Sequence, residues 1–151
     1  MQLTKYTDYS LRLLIYLALM PKDKLASIDE ISAIYKISRN NVNKIVHQLG
    51  KEGVIETKRG KGGGFYLKRD PKEINLGEMV AMLENTLEVI DCQSPLCPIM
   101  PACDLKKVLN KATEAFMNVL KQYSLADLTE SRQQELVNIL NLNQEHEERI
   151  H

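Results

Sequence analysis

Two capped helices followed by a glycine-rich turn constrain the fold more than any other feature of this sequence. The stretch SIDE has the form of a capping box, in which Ser27 and Glu30 satisfy each other's backbone donors at the start of a helix. This helix is expected to run to about Tyr35, and Ser38 is expected to begin the next one. The second helix has an apolar face and is expected to stop at Gly50. That face consists of Val42, Ile45, Val46 and Leu49.

A β-hairpin is predicted directly after these helices. The runs Val54–Lys58 and Phe65–Leu67 favour strands, and the sequence RGKGGG between them supplies glycines that tolerate positive φ. Another helix is expected ahead of the pair, from Asp8 to Leu19, with Asp8 at its N-terminus. Three helices followed by a hairpin are the order of a winged helix-turn-helix. We therefore predict such a domain, of the DNA-binding kind, over residues 1–75.

The second helix of the pair and the hairpin are strongly basic, although the chain as a whole has a formal net charge of zero. Residues 36–69 contain nine basic and two acidic side chains, a local charge of plus seven, and phosphate neutralisation dominates affinity for nucleic acid. Amide and basic groups can also contact base edges in the major groove. The predicted DNA-binding residues are Ser38, Arg39, Asn40, Asn41, Asn43, Lys44, His47, Gln48, Arg59 and Lys61. The alternative is a solvated helix face beside an ordinary turn, with the hairpin cations serving solubility.

Two further helices are predicted after the hairpin. One runs from about Leu76 to Asn85 and leads into a cysteine-containing loop, so that residues 76–104 form a connecting segment. A longer helix is expected after Asp104, with an apolar stripe of near-heptad spacing. The stripe consists of Leu105, Val108, Leu109, Ala112, Phe116, Val119, Leu120 and Tyr123. A helix buried against its own domain would look similar, but we favour a homodimer, because two-fold partners place two recognition helices at successive half-sites.

The predicted fold class is therefore mainly α with a small β wing: a winged helix-turn-helix domain plus a long dimerisation helix. Residues 105–128 are the predicted dimerisation helix and its end. Residues 129–151 are expected to be a tail that is partly helical, around residues 130–140, or frayed. The apolar run at residues 11–20 is too short to span a bilayer, and the N-terminus lacks the order of a secretory signal. The expected localisation is cytoplasmic, with no membrane partner.

All three cysteines lie in one proline-containing stretch, CQSPLCPIMPAC. Four and five residues separate Cys92, Cys97 and Cys103, so neither interval is the C-x-x-C of a zinc ribbon or a redox pair. In a reducing compartment, clustered cysteines more often serve metals or redox chemistry than structural disulfides. Three thiolates are one short of the four ligands that zinc or an iron–sulfur cluster takes, so a fourth ligand is needed. The alternative is three small hydrophobic residues in an ordinary loop.

The sequence resembles the winged-helix iron–sulfur transcription regulators, the family that includes NsrR and IscR, and is more similar to the NsrR branch. The resemblance extends over nearly all of the chain to about Leu128. The stretches that carry it are MQLTKYTDYSLRLLIYLA, SRNNVNKIVHQL, RGKGGGFYL, the three cysteines with PAC at their end, and YSLADL.

The resemblance implies a homodimer with an iron–sulfur cluster at each cysteine loop, [4Fe–4S] in preference to [2Fe–2S]. Such a protein represses genes until nitric oxide attacks the cluster and the operator DNA is released. In IscR-like members a histidine three residues beyond the last cysteine is the fourth ligand, and here that position is Lys106. In NsrR-like members an aspartate from the partner subunit takes this role, and Asp8 matches its position. The alternative for Asp8 is a cap or a first-turn charge of its own helix.

Other functions are less consistent with the sequence. An enzyme is not expected, because no serine, histidine and carboxylate set emerges and GKGGG lacks the order of a nucleotide-binding loop. A winged-helix regulator that binds zinc or responds to thiol oxidation is an open alternative. An iron–sulfur electron-transfer protein is another, although it would leave the basic helix and hairpin without a role.

Overall fold

Three helices, a two-stranded wing and four further helices follow one another in the computed structural model, which describes residues 1–142. The helices of the N-terminal half are α1 (Lys5–Leu19), α2 (Ile28–Tyr35) and α3 (Arg39–Lys51), and the strands are β1 (Ile55–Lys58) and β2 (Gly64–Leu67). The later helices are α4 (Leu76–Leu83), α5 (Leu105–Leu120), α6 (Leu125–Glu130) and α7 (Gln133–Ile139). Short 3₁₀ turns occupy Pro71–Glu73 and Met100–Ala102. The predicted mainly α fold with a β wing is confirmed.

Serine caps set the starts of the two helices of the helix-turn-helix. Ser27 Oγ accepts a hydrogen bond from Glu30 N at 3.1 Å, and Ser38 Oγ accepts one from Asn41 N at 3.2 Å. The turn between the helices is closed by Lys36, which adopts a left-handed conformation with φ of 55°. Both predicted starts are confirmed, because an N-cap is a local interaction that the sequence displays directly.

The predicted start of α1 and the predicted end of α3 are wrong. Helix α1 begins at Lys5 rather than Asp8, because the Thr4 side chain accepts from Thr7 N and caps the helix one turn earlier. Asp8 therefore lies in the first turn of α1. Helix α3 continues past Gly50 to Lys51, and the glycine with positive φ, 75°, is Gly53.

The wing is a short antiparallel hairpin in which Ile55 pairs with Leu67 and Lys58 pairs with Gly64. Ala26 adds a single bridge to Phe65, with both backbone hydrogen bonds at 2.9 Å. A Cβ at Gly64 would lie 2.3 Å from the Ala26 carbonyl oxygen, so this close approach requires glycine. Strand β2 accordingly begins one residue earlier than predicted.

The hydrophobic core joins the N-terminal helices to α6. Leu13 and Leu14 of α1, Ile31 of α2 and Leu49 of α3 are fully buried, and Leu125 of α6 is buried in the same cluster. Helix α6 packs against α1, so the C-terminal helices complete the hydrophobic core of the winged-helix domain. The sequence did not predict this contact.

Several predicted boundaries after residue 76 differ from the structure. Helix α4 ends at Leu83 rather than Asn85, and α5 ends at Leu120, so the predicted stripe residue Tyr123 lies beyond the helix. The short helix expected around residues 130–140 corresponds to α7. Helix α6 was not predicted, and the predicted boundary after residue 128 falls inside it. The predicted frayed end, residues 144–151, lies outside the described residues. Among residues 1–142, no helix combines the length and apolar character needed to cross a bilayer.

Candidate DNA-binding surface and cysteine loop

Helix α3 presents an acid-free polar face to solvent. Its apolar side, Val42, Ile45, Val46 and Leu49, is buried against the other helices, as predicted. The opposite side carries the exposed side chains of Arg39, Asn40, Asn41, Asn43, Lys44 and His47. Ser38 is used as the N-cap, and Arg39 Nε lies 3.0 Å from the Asp29 carboxylate of α2 in an exposed ion pair. The exposed face has the groups that contact phosphates and base edges.

The tip of the wing exposes two basic side chains that alternate with glycines along the chain. Gly60 and Gly62 have φ angles of 97° and 77°, which side chains with a Cβ rarely adopt, and Arg59 and Lys61 stand exposed beside them. A Cβ at Gly63 would lie 2.2 Å from the Lys58 carbonyl oxygen. Strand β1 contacts α3, so the wing and the exposed helix face belong to one unit of the fold.

Gln48 differs from the other predicted DNA-binding residues of α3. Its side chain is half-buried, and its Oε1 accepts a hydrogen bond from the hydroxyl of Tyr6 in α1. Burial raises the pKa of the Tyr6 phenol, so this hydroxyl stays protonated and able to donate at neutral pH. One acceptor of Gln48 is therefore already engaged within the protein.

The cysteine loop joins α4 to α5 and brings its three free thiols onto one irregular segment. Cys97 N donates to the Cys92 carbonyl oxygen at 3.0 Å, which closes the first part of the loop. At its end, Leu105 N donates to Cys103 Sγ at 3.4 Å, so the first turn of α5 directs a backbone donor at this sulfur. The Asp104 side chain, which was expected to cap α5, makes no capping hydrogen bond.

The donors of this loop are of the chemical kind that binds an iron–sulfur cluster or zinc. Within residues 1–142, no three His, Cys, Asp or Glu side chains converge as ligands for one ion. Three half-buried, reduced thiols on a single loop are soft donors of the kind that bind the irons of a cluster. Lys106, at the position of the histidine ligand expected for the IscR branch, lies 3.6 Å from Glu88 in an ion pair.

Asp8 is not grouped with the cysteines of its own subunit in the described structure. It forms a bidentate ion pair with Arg12 one turn further along α1. Arg12 Nε donates to Asp8 Oδ1 at 2.7 Å and Arg12 Nη2 donates to Asp8 Oδ2 at 3.1 Å. This arrangement corresponds to the first-turn charge that was the alternative for Asp8. A role as metal ligand requires a second subunit, as the sequence analysis expected.

The apolar stripe of α5 is largely uncovered. Leu105 is 54% exposed, Val108 59% and Val119 53%, and Ala112 and Phe116 are exposed as well. Leu109 and Leu120 are half-buried, and Met117 is the buried residue of α5. Burial against its own domain, the alternative to dimerisation, therefore does not account for this stripe.

Comparison with known proteins shows which family the chain belongs to. The family model Rrf2, described as an iron-dependent transcriptional regulator, matches residues 3–131. The chain belongs to the Rrf2 family. As a member, it is a transcriptional regulator with a winged helix-turn-helix, and the predicted membership is confirmed.

Similar Rrf2 proteins include the HTH-type transcriptional regulators NsrR of Shouchella clausii, Halalkalibacterium halodurans and Bacillus subtilis. The S. clausii protein is 51% identical over 131 residues, which cover 85% of this chain and 88% of the relative. The B. subtilis protein is 44% identical over 136 residues, which cover 88% and 93%. Solved structures give the same fold. CymR of B. subtilis matches with a TM-score of 0.68 at 23% identity, over 86% of this chain and 97% of that one, and T. potens IscR with 0.69 at 21%, over 89% and 90%.

Sequence reasoning missed three contacts made by the start of α1 in this Rrf2 protein. The spacing of Asp8 and Arg12, four residues apart on a helix, was visible and typical of an ion pair. The contacts of Tyr6 with Gln48 and of Thr4 with Glu84 join residues 42 and 80 positions apart. No local pattern indicates such contacts.

Proposed function

We propose that this protein is a homodimeric repressor whose affinity for its DNA operator is controlled by an iron–sulfur cluster that senses nitric oxide. One observation supports this most strongly: the loop with all three cysteines runs directly into the helix with the uncovered apolar stripe. Cys103 stands two residues before Leu105, the first residue of α5. A group bound at the loop therefore acts on the element that we propose as the dimer interface.

DNA binding is assigned to α3 and the wing. The N-terminal half of α3 exposes the polar side chains of Arg39, Asn40, Asn41 and Asn43, and it is this half of a recognition helix that meets base edges. Arg59 and Lys61 at the wing tip neutralise phosphates on the flanking backbone. The predicted DNA-binding residues of both elements are kept in this proposal, except that Gln48 positions the helix and does not contact DNA.

The dimer is assigned to α5. Its exposed stripe repeats at helical spacing along four turns, and a second copy of the same stripe covers it in an isologous two-fold contact. Removing this apolar surface from water favours association. The stripe residues are Leu105, Val108, Leu109, Ala112, Phe116, Val119, Leu120 and, beyond the helix, Tyr123.

The cluster is held by Cys92, Cys97 and Cys103, with Asp8 of the partner subunit as the fourth ligand. A [4Fe–4S] form is preferred over [2Fe–2S]. When bound, the cluster supplies iron that reacts with nitric oxide. A carboxylate is a harder ligand than a thiolate and binds such iron less firmly, so the position held by Asp8 is the labile one. To bind there, Asp8 leaves its ion pair with Arg12, and the chain regains that pair when the ligand is lost.

Control of DNA binding follows from a ligand that crosses between subunits. With Asp8 bound, α1 of one protomer is tied to the cysteine loop of its partner, and the separation of the two recognition helices is fixed. When Asp8 is no longer bound, the distance between the two recognition helices is no longer fixed. The affinity for an operator with two half-sites then falls. The effect is a shift between two arrangements of the dimer rather than an unfolding of either domain.

The test uses an operator selected by the anaerobically purified protein from a random duplex library. Binding is then measured at one salt concentration for three samples: cluster-loaded, cluster-free, and loaded protein after nitric oxide. The proposal predicts tight binding by the first sample and weak binding by the other two. Cys97→Ala, which removes a ligand, should behave as cluster-free protein under all conditions. Equal affinity of loaded and cluster-free protein contradicts control by the cluster, and colourless protein with stoichiometric zinc favours the zinc-dependent alternative.

A further inference from the structure

The first turn of α1 is attached on two sides by hydrogen bonds that link distant parts of the chain. On one side, Thr4 N donates to Glu84 Oε1 at 2.7 Å, and Glu84 caps the C-terminus of α4, where the connection to the cysteine loop begins. On the other side, the Tyr6 hydroxyl donates to Gln48 of the recognition helix. The same turn carries Asp8. The start of α1, residues 4–8, therefore contacts both the end of α4 and the recognition helix.

Tyr6 and Asp8 point to different sides of α1. Two residues along an α-helix differ by about 200° in direction, so Tyr6 faces α3 while Asp8 faces away from it. The hydrogen bonds of an α-helix make its first turn move as one piece. A displacement imposed at Asp8 is therefore transferred to the Tyr6 hydroxyl, and a hydrogen bond is sensitive to a small displacement of its donor.

Gln48 lies in the C-terminal half of α3, away from the end of the helix that meets base edges. Together with Tyr6 it lines an open cleft whose other walls include Lys44, His47 and Lys51. Its oxygen already accepts a hydrogen bond from Tyr6, so one of its two lone pairs is not free for the donor and acceptor pair that reads adenine. This position suits a contact that holds the helix rather than one that reads DNA.

We infer that Tyr6 and Gln48 are positioning residues that couple the first turn of α1 to the recognition helix. The inference rests on the proposed function, because the two residues transmit to α3 whether Asp8 is bound to the cluster. It goes further in naming the contact through which that state reaches α3. The bond makes the orientation of α3 depend on the position of the α1 start within each protomer.

The test is Tyr6→Phe, which removes the hydroxyl and keeps the ring that packs against the core. Tyr9→Phe is the matched control, because Tyr9 is a half-buried tyrosine of the same helix whose hydroxyl makes no hydrogen bond within residues 1–142. The readout is the ratio of operator affinities of cluster-loaded and cluster-free protein. A net neutral hydrogen bond changes an equilibrium by about two- to ten-fold, so Tyr6→Phe should reduce the ratio by that factor with iron content unchanged. A purely structural defect would lower both affinities and leave the ratio as it is.

A double-mutant cycle with Gln48→Met tests whether the two residues act through their shared bond. Each single change and the double change should then reduce the ratio by the same factor. Independent, multiplying effects on the ratio would overturn the coupling through this contact. An unchanged ratio in Tyr6→Phe would overturn it as well.

Hydrogen exchange of the cluster-free protein separates this inference from the proposed function. Tyr6→Phe should accelerate exchange of amides in the C-terminal half of α3, whereas Tyr9→Phe should not. If the wild-type ratio is one but this acceleration is seen, cluster control fails and the contact between the helices stands. If the wild-type ratio is large but Tyr6→Phe changes neither the ratio nor exchange, cluster control stands and the inference fails.

Discussion

Asp8 and Arg12 form a bidentate ion pair on α1, with Arg12 Nε 2.7 Å from one carboxylate oxygen of Asp8 and Arg12 Nη2 3.1 Å from the other. The side chain proposed as the fourth cluster ligand is thus engaged by a cation in the isolated chain. Ligation and ion pairing compete for the same carboxylate. The strength of the pair therefore tunes how readily Asp8 leaves the cluster.

Replacing Arg12 should make the cluster more stable. The side chains of Arg12 and Asp8 are 51% and 39% exposed, and such pairs contribute about 0.2–1 kcal/mol. Arg12→Gln should therefore slow the loss of iron to a chelator by up to about five-fold, since about 1.4 kcal/mol corresponds to a factor of ten. Lys5→Gln, which removes an exposed cation from the same helix, is the control. Faster loss from Arg12→Gln than from Lys5→Gln would mean that Arg12 supports ligation instead of opposing it.

The wing cations should contribute to the salt dependence of DNA binding. Each phosphate contact adds about 0.9 to the slope of log affinity against log salt concentration. The double variant Arg59→Gln and Lys61→Gln should lower that slope by about 1.8 if each cation meets one phosphate. Lys22→Gln removes an exposed cation outside the proposed DNA-binding surface and should leave the slope unchanged. An identical slope in the wing variant and the wild type would show that the wing does not touch the backbone.

A charge in the stripe of α5 should break the dimer. Val108 is 59% exposed in the single chain, so Val108→Asp costs little in the monomer but places a carboxylate in the proposed interface. Asn110→Asp, two residues further on and off the stripe, adds the same charge to the same helix. Analytical ultracentrifugation should show a monomer for the first variant and a dimer for the second. A dimer in both cases would assign the interface to another surface.

Glycine at position 64 should be needed for the wing. A Cβ there would lie 2.3 Å from the Ala26 carbonyl oxygen, which is backbone and cannot turn aside. Gly64→Ala should lower the free energy of unfolding by about 1–3 kcal/mol, as overpacking does. Gly50→Ala is the control, because the corresponding Cβ meets nothing within 4 Å and α3 gains helix propensity, about 0.5–1 kcal/mol. Urea unfolding of the two variants measures both changes, and equal stability of Gly64→Ala and wild type would contradict the close approach.

Tyr35 should make the fold sensitive to high pH. Burial raises its pKa to about 12, while the nearby Arg12 lowers it in part, and its hydroxyl donates to the Arg12 carbonyl oxygen at 3.0 Å. Because the pKa is higher in the folded than in the unfolded chain, this contribution to stability is complete below pH 10 and is lost as the pH rises towards 12. Tyr35→Phe should lose less stability than wild type over that interval in urea unfolding. Parallel losses in both proteins would contradict the raised pKa.

The sequence predicts the local part of this structure well. Ser27 and Ser38 mark the starts of α2 and α3, because a capping serine and the amide it accepts from lie three residues apart. Competing local signals explain the errors: Thr4 caps α1 ahead of Asp8, and Gly53 rather than Gly50 is the glycine with positive φ after α3. The packing of α6 on α1 and the bond from Tyr6 to Gln48 depend on tertiary structure, so no periodicity or spacing indicates them.

The central claim is that the cysteine loop binds an iron–sulfur cluster and that this cluster governs binding to DNA. A single anaerobic preparation tests it: iron and acid-labile sulfide are measured, and the selected operator is titrated before and after the metal is removed with a chelator. The account predicts both elements in the fresh protein and a loss of operator affinity when they are removed. Fresh protein without iron or sulfide, or with an affinity that chelation leaves unchanged, would contradict it.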